Sequence, residues 1–182
     1  MDQKIRILGV ILAGGKSQRF GKDKAEILID GVPMLERIFS DLRVQVDDVV
    51  ISGRTWRNVE QVNDRPAAGM GPLGGLCGAL HCALERNSDA VLTVPVDVLP
   101  VPSNLVALLC GEEAAVFEDQ HLIGYWPVSL AEKLDRYMES SGGGAFFRWL
   151  AETRARKVRE PVTLYNVNTP GDLERYLAAR NV

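Results

Sequence analysis

Near its N-terminus the sequence passes from an apolar segment into a loop of glycines and cations: Ile5-Arg6-Ile7-Leu8-Gly9-Val10-Ile11-Leu12-Ala13-Gly14-Gly15-Lys16-Ser17-Gln18-Arg19-Phe20-Gly21-Lys22-Asp23-Lys24. The apolar, β-branched first part is typical of a buried strand. The glycine pair then lets backbone N–H groups approach a bound group closely. Such N–H groups, with Lys and Arg around them, bind phosphate well. The segment therefore predicts a triphosphate site at the C-terminal edge of the first strand.

Two common phosphate-binding loops do not fit this segment. A P-loop needs a shorter spacing than that from Gly15 to Gly21, and Asp23 stands where it needs Ser or Thr. The dinucleotide fingerprint Gly-x-Gly-x-x-Gly fails because Gly14 and Gly15 are adjacent. The simpler alternative is an ordinary turn with solvated lysines, but a turn requires neither the glycine pair nor four spaced cations.

Length and composition indicate an ordinary globular chain. Of 182 residues, 46% are hydrophobic and 25% charged, which suits one domain spanning residues 1–182. A net charge of −3 gives no overall positive field, so we expect no nucleic-acid partner and local cations for any polyanionic ligand. No apolar run approaches the roughly 20 residues of a membrane helix, and the N-terminus lacks a signal-peptide layout. We therefore expect no membrane partner.

The three cysteines have no spacing typical of a metal site. Cys77 and Cys82 lie in one apolar helical stretch, and Cys110 completes an odd count. We expect buried, reduced thiols, which suit the cytoplasm. His81, in the same stretch, is expected to pack in the interior or lie on the surface.

Strand-like and helical segments alternate along the chain. This alternation predicts a Rossmann-like α/β fold with a doubly wound, mostly parallel sheet and helices on both faces. Segments 114–117 and 122–126 are expected to form a hairpin that interrupts the parallel order. The predicted helices are 34–42, 76–85, 105–109, 130–138, 145–151 and 172–179, and the strands after the first are 49–51, 59–62, 90–95, 114–117, 122–126 and 162–164.

Three further segments carry candidate ligand-binding groups. Asp97 follows the predicted strand 90–95, and ligands of open α/β sheets lie beyond such strand ends. A carboxylate there suits Mg²⁺, although it could also cap a turn. Residues 71–75, Gly-Pro-Leu-Gly-Gly, are expected to form a loop at a helix entrance, either against a ligand or only packing the helix on the sheet. Asn166 and Asn168 occupy alternate positions at a strand end and can donate to a phosphate from one side.

The N-terminal segment resembles the nucleotidyltransferase pattern Leu-Ala-Gly-Gly-x-Ser-x-Arg-x-Gly-x-x-Lys, and its Gly-Gly form is similar to that of the molybdenum cofactor guanylyltransferases. The other segments resemble this family in the family's order, over nearly the whole chain, with a fold of the nucleotide-diphospho-sugar transferase type. The matching positions are Leu12, Ala13, Gly14, Gly15, Ser17, Arg19, Gly21 and Lys24, then Gly71-Pro72-Leu73, Pro95, Asp97 and Pro102, and Asn166-Val167-Asn168-Thr169-Pro170.

The resemblance implies transfer of GMP from GTP to the phosphate of molybdopterin, with release of pyrophosphate. It implies that Arg19 offsets charge on the pyrophosphate, that Lys24 serves the α-phosphate or the base, and that Asp97 holds Mg²⁺. Implied partners are GTP, the molybdopterin cofactor, and molybdoenzymes or other cofactor-biosynthesis proteins. The implied nucleotide- and cofactor-binding residues are Leu12, Ala13, Gly14, Gly15, Lys24, Ser52, Asp64, Gly71, Asp97, Asn166 and Asn168.

The sequence departs from the family pattern at two places. Ser52 stands where an asparagine is common, and Gly144-Ala145 replaces cations that would face the pterin, leaving Arg148 as the nearest cation. Cytidylyl transfer to the same acceptor is therefore one alternative, with Gly14 in place of alanine as the reason to prefer guanine. A sugar-phosphate or terpenoid-precursor transferase is disfavoured by residues 166–170. A non-catalytic nucleotide-binding partner is a further alternative.

Overall fold

A computed structural model of the chain describes residues 4–14, 23–141 and 145–180. The helices are α1 (Met34–Arg43), α2 (Gly71–Glu85), α3 (Leu105–Leu109), α4 (Ala131–Ser141), α5 (Phe146–Thr153) and α6 (Pro170–Arg180), with 3₁₀ turns at Lys24–Glu26 and Val128–Leu130. The strands are β1 (Ile7–Leu12), β2 (Leu28–Ile29), β3 (Val32–Pro33), β4 (Asp48–Ser52), β5 (Gln61–Val62), β6 (Ala90–Pro95), β7 (Val98–Leu99), β8 (Ala115–Phe117), β9 (Gly124–Pro127), β10 (Arg156–Val158) and β11 (Tyr165–Asn166).

The main sheet has seven strands in the order β10-β8-β9-β6-β1-β4-β5. Strand β1 pairs in parallel with both β4 and β6, so that Gly9 lies opposite Val49 on one side and Leu92 on the other. Strand β9 runs antiparallel to both β6 and β8. The predicted mostly parallel sheet and its interrupting hairpin are therefore confirmed.

Helices cover both faces of the sheet. Ile7 and Ile11 of β1 belong to a buried cluster with side chains of α1, α3 and α6. Leu8 and Val10 of the same strand belong to a second cluster with side chains of α2, α4 and α5. Because successive side chains of a strand point to opposite faces, β1 contributes to both clusters. The doubly wound arrangement is confirmed.

Helix α2 begins five residues earlier than the sequence predicted. Residues 71–75 are not an entrance loop but the first turns of the helix itself. A Cβ atom on Gly75 would lie 2.4 Å from Ser52 Oγ, and one on Gly78 would lie 2.0 Å from the carbonyl oxygen of Asn63. These glycines therefore serve close packing of a helix on strand ends, and a pattern of glycines in sequence does not distinguish that from a loop.

The C-terminal strands also differ from the prediction. Residues 162–164 form no strand, so that prediction was wrong. The strands in this part are instead β10, whose Arg156 and Lys157 are exposed at the sheet edge, and the two-residue β11, which pairs antiparallel with β7. Such short strands exist because of their tertiary partners, since their composition carries little strand signal.

The topology brings the carboxyl ends of β1, β4, β5 and β6 to one edge of the sheet. Pairing of β11 with β7 brings the C-terminal segment to the same edge, where Val167 N donates to Asp97 O at 2.7 Å. Within the part of the chain that the structure describes, no helix is both long and apolar enough to cross a membrane. That residues 1–182 form one domain stays a prediction.

Candidate active site

A cavity of about 420 Å³ opens at this edge of the sheet, a size typical of small-molecule sites. Its floor is formed by the ends of β1, β4 and β6, and one wall by the start of α2. The lining residues are Leu12, Ala13, Gly14, Asp23, Lys24, Ala25, Ser52, Arg54, Asp64, Gly69, Gly71, Pro72, Pro95, Val96, Asp97 and Leu122.

A lysine and an aspartate distant in sequence meet in this cavity. Lys24 Nζ lies 3.3 Å from Asp97 Oδ2 and also donates to Asn168 Oδ1. The side chain of Lys24 is 15% exposed and that of Asp97 is 28% exposed. The pair is therefore partly shielded from water, which strengthens its attraction relative to a surface pair.

The backbone around Asn168 is held by a helix cap. Asp172, in the first turn of α6, accepts from the backbone N–H groups of Asn168 at 2.9 Å and Thr169 at 2.7 Å. Thr169 Oγ1 accepts in return from Asp172 N at 3.2 Å, which completes a capping box. The hydroxyl of Thr169 also donates to the carboxylate, and these hydrogen bonds lower the pKa of Asp172 to about 2.

Sequence reasoning missed an arginine that lines the cavity. Both terminal nitrogens of Arg54 donate to the two carboxylate oxygens of Asp23. Asp23 caps the 3₁₀ turn Lys24–Glu26 by accepting from Ala25 N at 3.0 Å. The hydrogen bond from Arg54 is the main reason that the pKa of Asp23 lies below its ordinary value. Arg54 lies two residues after the end of β4 at Ser52, and this position beyond a strand end is the signal that could have identified it.

Arg54 also carries an unsatisfied polar atom. Its Nε is buried and has no hydrogen-bond partner among the residues that the structure describes. The guanidinium lies 5.7 Å from the ring centroid of Trp56, which covers one side. Arg54 is thereby held by Trp56 and Asp23, and its ion pair with Asp23 anchors the turn that carries Lys24.

The opposite wall of the cavity is ordered by Asp64. Its two carboxylate oxygens accept from Ser52 Oγ and from Gly69 N, both at 3.1 Å. Ser52 is buried, so its hydroxyl is oriented by this hydrogen bond. The cavity is thus lined by three carboxylates in different settings: Asp23 is paired with Arg54, Asp97 lies beside Lys24, and Asp64 accepts from neutral donors.

Glycines allow the segments that follow β1 and β4 to approach each other closely. Ala13 N donates to Ser52 O at 2.9 Å, which extends the parallel pairing beyond β1. Gly53 has φ +89°, and a Cβ there would lie 2.3 Å from Gly14 Cα. By contrast, a Cβ on Gly14 would lie 3.5 Å from Gly53 Cα, an ordinary contact. Gly53 is therefore the position at which the backbone requires glycine.

The structure brings most of the predicted site residues together. Asn168 contacts the site through its hydrogen bond with Lys24, although neither asparagine lines the cavity itself. Asn166 and Asn168 both line a shallow surface depression together with Asp172 and Arg175. Gly15, Arg19 and the glycines at 142–144 lie outside the described residues. The predicted residues that line the cavity are Leu12, Ala13, Gly14, Lys24, Ser52, Asp64, Gly71 and Asp97.

Sequence comparison identifies a family model and relatives that match most of the chain. Residues 9–158 match the family model described as a MobA-like NTP transferase domain. The chain is 31% identical to a molybdenum cofactor guanylyltransferase of Acidiphilium cryptum over 186 residues, covering 94% of each protein. It is also 31% identical to one of Rhizobium meliloti over 192 residues, covering 91% of this chain and 88% of the relative.

Solved structures show the same fold. The crystal structure of molybdopterin-guanine dinucleotide biosynthesis protein A from Archaeoglobus fulgidus aligns with a TM-score of 0.72 over 95% of this chain and 99% of that one. Sequence identity in that alignment is 21%, so the likeness concerns the fold. The described sheet and its helices therefore belong to a fold found in solved structures.

Proposed function

Because the chain belongs to the molybdenum cofactor guanylyltransferases, within the MobA-like NTP transferase domain family, we propose that it transfers GMP from GTP to the phosphate of molybdopterin. An oxygen of the acceptor phosphate bonds to the α-phosphorus of GTP, and the bond from that phosphorus to the α–β bridging oxygen breaks. Pyrophosphate leaves. The observation that carries the proposal is the meeting of Lys24 and Asp97 in a cavity at the carboxyl ends of parallel strands.

The chain's own residues act mainly by positioning and by neutralising charge. Lys24, released from Asp97 by the incoming nucleotide, faces the α-phosphate. The backbone at Gly14 lies against the phosphates, and from the sequence we assign Gly15 and Arg19 to the departing pyrophosphate. The acceptor phosphate is already an anion near neutral pH, so the reaction needs no general base.

The donor set at Asp97 fits a hard divalent cation. One carboxylate at a cavity edge leaves most coordination positions to phosphate oxygens and water, as Mg²⁺ prefers. We propose Mg²⁺ held by Asp97, where it supplies charge stabilisation to the phosphate oxygens. Lys24, 3.3 Å from Asp97 Oδ2, keeps the carboxylate oriented before the nucleotide arrives.

The proposed reaction requires two kinds of partner besides GTP: the molybdopterin acceptor, and a protein that takes the product. Asn168 and the depression that contains Asn166 lie next to Lys24, and we assign this side of the cavity to the molybdopterin phosphate. Molybdoenzymes, or other proteins of cofactor biosynthesis, would take the product. All three cysteines are free thiols, which fits a reaction in the reducing cytoplasm.

Pyrophosphate release tests the proposed reaction. Purified protein is mixed with Mg²⁺, molybdopterin-bound molybdenum and either GTP or CTP, and the dinucleotide product is identified by chromatography. We expect pyrophosphate and product with GTP. Release with CTP alone would replace guanylyl by cytidylyl transfer. Gly14 in place of alanine is the reason to prefer guanine, but a Cβ at position 14 would make only an ordinary contact with Gly53, so the backbone does not require glycine there. Nucleotide binding without release would contradict the proposal and favour a non-catalytic partner.

A further inference from the structure

A second cluster of chemically capable side chains lies between α2 and α4. Cys77 Sγ donates to Asp135 Oδ1 at 3.2 Å, and His81 Nε2 lies 2.7 Å from Asp135 Oδ2. None of the three residues lines the nucleotide cavity. The cluster is therefore separate from the proposed reaction.

The arrangement of the three side chains suits a metal ion. Cys77 and His81 are four residues apart on α2, so they lie on one face of the helix. Asp135 reaches them from α4, and one ligand atom from each residue lies within 4.8 Å of the other two. Bond lengths of about 2.0–2.3 Å in tetrahedral zinc sites place ligand atoms roughly 3.3–3.8 Å apart. Side-chain rotations that close the gap by about 1 Å complete such a site.

We propose that Cys77, His81 and Asp135 bind Zn²⁺ in a site that joins α2 to α4. A thiolate, an imidazole and a carboxylate are the three side-chain ligand types that zinc uses, and sites with three protein ligands take water as the fourth. On binding, the Cys77 thiol gives its proton to solvent.

The three side chains differ in exposure, which provides a buried ligand and a path by which an ion can enter. Cys77 is fully buried, whereas the side chains of His81 and Asp135 are 24% and 31% exposed. An ion can therefore arrive from solvent through the imidazole and the carboxylate, and it would hold the thiolate on its inner side. The fourth position, for water, faces outward.

Arg65 opposes the metal. Its Nε lies 4.0 Å from Asp135 Oδ1, and its side chain is 50% exposed. A guanidinium at that distance repels a dication and competes for the carboxylate, so Arg65 must turn into solvent when the site fills. Removal of the Arg65 side chain should therefore tighten metal binding, a result that a merely structural hydrogen-bonded cluster does not predict.

A nucleophilic role for Cys77 does not fit the geometry. The carboxylate lies between the thiol and the imidazole, whereas a catalytic cysteine is paired directly with its base. Burial and the neighbouring carboxylate raise the pKa of the Cys77 thiol to about 12. Without a metal ion the thiol therefore stays protonated, and a protonated thiol is a poor nucleophile.

Cobalt binding tests the site by spectroscopy. The full chain carrying Asp97→Asn, which removes the carboxylate of the nucleotide cavity, is titrated with Co²⁺ and then with Zn²⁺. We expect one equivalent of Co²⁺ to produce a near-ultraviolet thiolate-to-cobalt band and Zn²⁺ to displace it. Addition of Cys77→Ser should abolish the band, His81→Ala should weaken binding by more than about tenfold, and Arg65→Ala should strengthen it.

Matched controls come from the other two cysteines. Cys82→Ser and Cys110→Ser should leave the band unchanged, because neither thiol belongs to the cluster. The proposal is wrong if no thiolate band appears, if the band survives Cys77→Ser, or if Cys82→Ser removes it. Should Cys77→Ser fail to fold by circular dichroism, unchanged binding in both His81→Ala and Asp135→Asn would overturn the proposal instead.

Discussion

At the scale of single residues, the proposed chemistry depends on the carboxylate of Asp97. Asp97 Oδ2 faces Lys24, and the Asp97 backbone is fixed by Val167. We predict that Asp97→Asn lowers kcat for Mg²⁺-dependent GMP transfer by at least about 10²-fold, equivalent to roughly 3 kcal/mol of lost charge stabilisation. Steady-state pyrophosphate release across a range of Mg²⁺ concentrations measures this loss.

Asp119→Asn is the matched control for Asp97→Asn. Asp119 is an exposed aspartate on the turn between β8 and β9 and does not line the nucleotide cavity. The Asp119→Asn variant should therefore have the same activity as the unchanged protein. Full Mg²⁺-dependent transfer by Asp97→Asn would remove this residue from the metal site.

We infer that Arg54 positions Lys24 by holding Asp23, which caps the turn that begins at this lysine. Arg54→Lys keeps the charge but loses the planar fork that binds both carboxylate oxygens. We predict a loss of roughly 10- to 100-fold in kcat/KM for GTP, because displacement of Lys24 disturbs the alignment of the α-phosphate. Kinetics with GTP as the varied substrate measure the loss, and the thermal midpoint should change little.

The control for Arg54 is the neighbouring arginine. Arg57 also lies over Trp56, at 5.5 Å from the ring centroid, but it pairs with Glu36 and does not line the cavity. Arg57→Lys should therefore leave kcat/KM unchanged. Equal losses in both variants would mean that contact with Trp56, and not the Asp23 pair, is responsible.

At the scale of secondary-structure elements, α2 packs on the sheet only because small residues face the strand ends. We predict that Gly78→Ala lowers the free energy of unfolding by about 1–3 kcal/mol, since the new Cβ would lie 2.0 Å from a backbone oxygen of Asn63. Urea unfolding measures the change. In Gly171→Ala the nearest atom is Thr169 Oγ1 at 3.9 Å, so this control should be neutral or stabilised by up to about 1 kcal/mol. Destabilisation of both to the same extent would contradict the packing argument.

The capping box of α6 makes this element sensitive to acid. The folded pKa of Asp172 is about 2, below the ordinary value of 3.8. Its contribution to stability is therefore complete above about pH 4 and is lost as the pH falls through about 2. We predict that Asp172→Asn makes the thermal midpoint less dependent on pH between 5 and 2. Glu174→Gln, an exposed change in the same helix, should keep the original dependence, and identical profiles for all three proteins would refute the assignment.

At the scale of the whole molecule, the described chain should unfold as one unit. Strand β1 contributes to the clusters on both faces of the sheet, and β11 joins the C-terminal segment to β7. We predict a single calorimetric transition for residues 1–182, with equal calorimetric and van't Hoff enthalpies of roughly 130 kcal/mol near 60 °C. Two resolved transitions, or a van't Hoff enthalpy well below the calorimetric one, would show separate domains.

Sequence predicts best the elements whose signal is local and repeated. Helix α1 and strand β6 match their predicted ranges to within one residue, because a 3.6-residue apolar period and a continuous apolar run are strong patterns. Asp97 was identified from its place after such a run. By contrast, β11 has two residues and owes its existence to β7, and the early start of α2 depends on which atoms face its glycines.

The sequence by itself determined the class of fold, the edge of the sheet at which a ligand is expected, and about half of the residues that line the cavity there. Only the tertiary structure decided that Arg54 supports the turn of Lys24, that Asn168 and not Asn166 reaches this lysine, and that Cys77, His81 and Asp135 meet. The physical reason is that the hydrophobic periodicity of a helix or strand, and the position at which a strand ends, depend on consecutive residues. Contacts between side chains tens of residues apart depend instead on how the helices and strands pack, which no local pattern records.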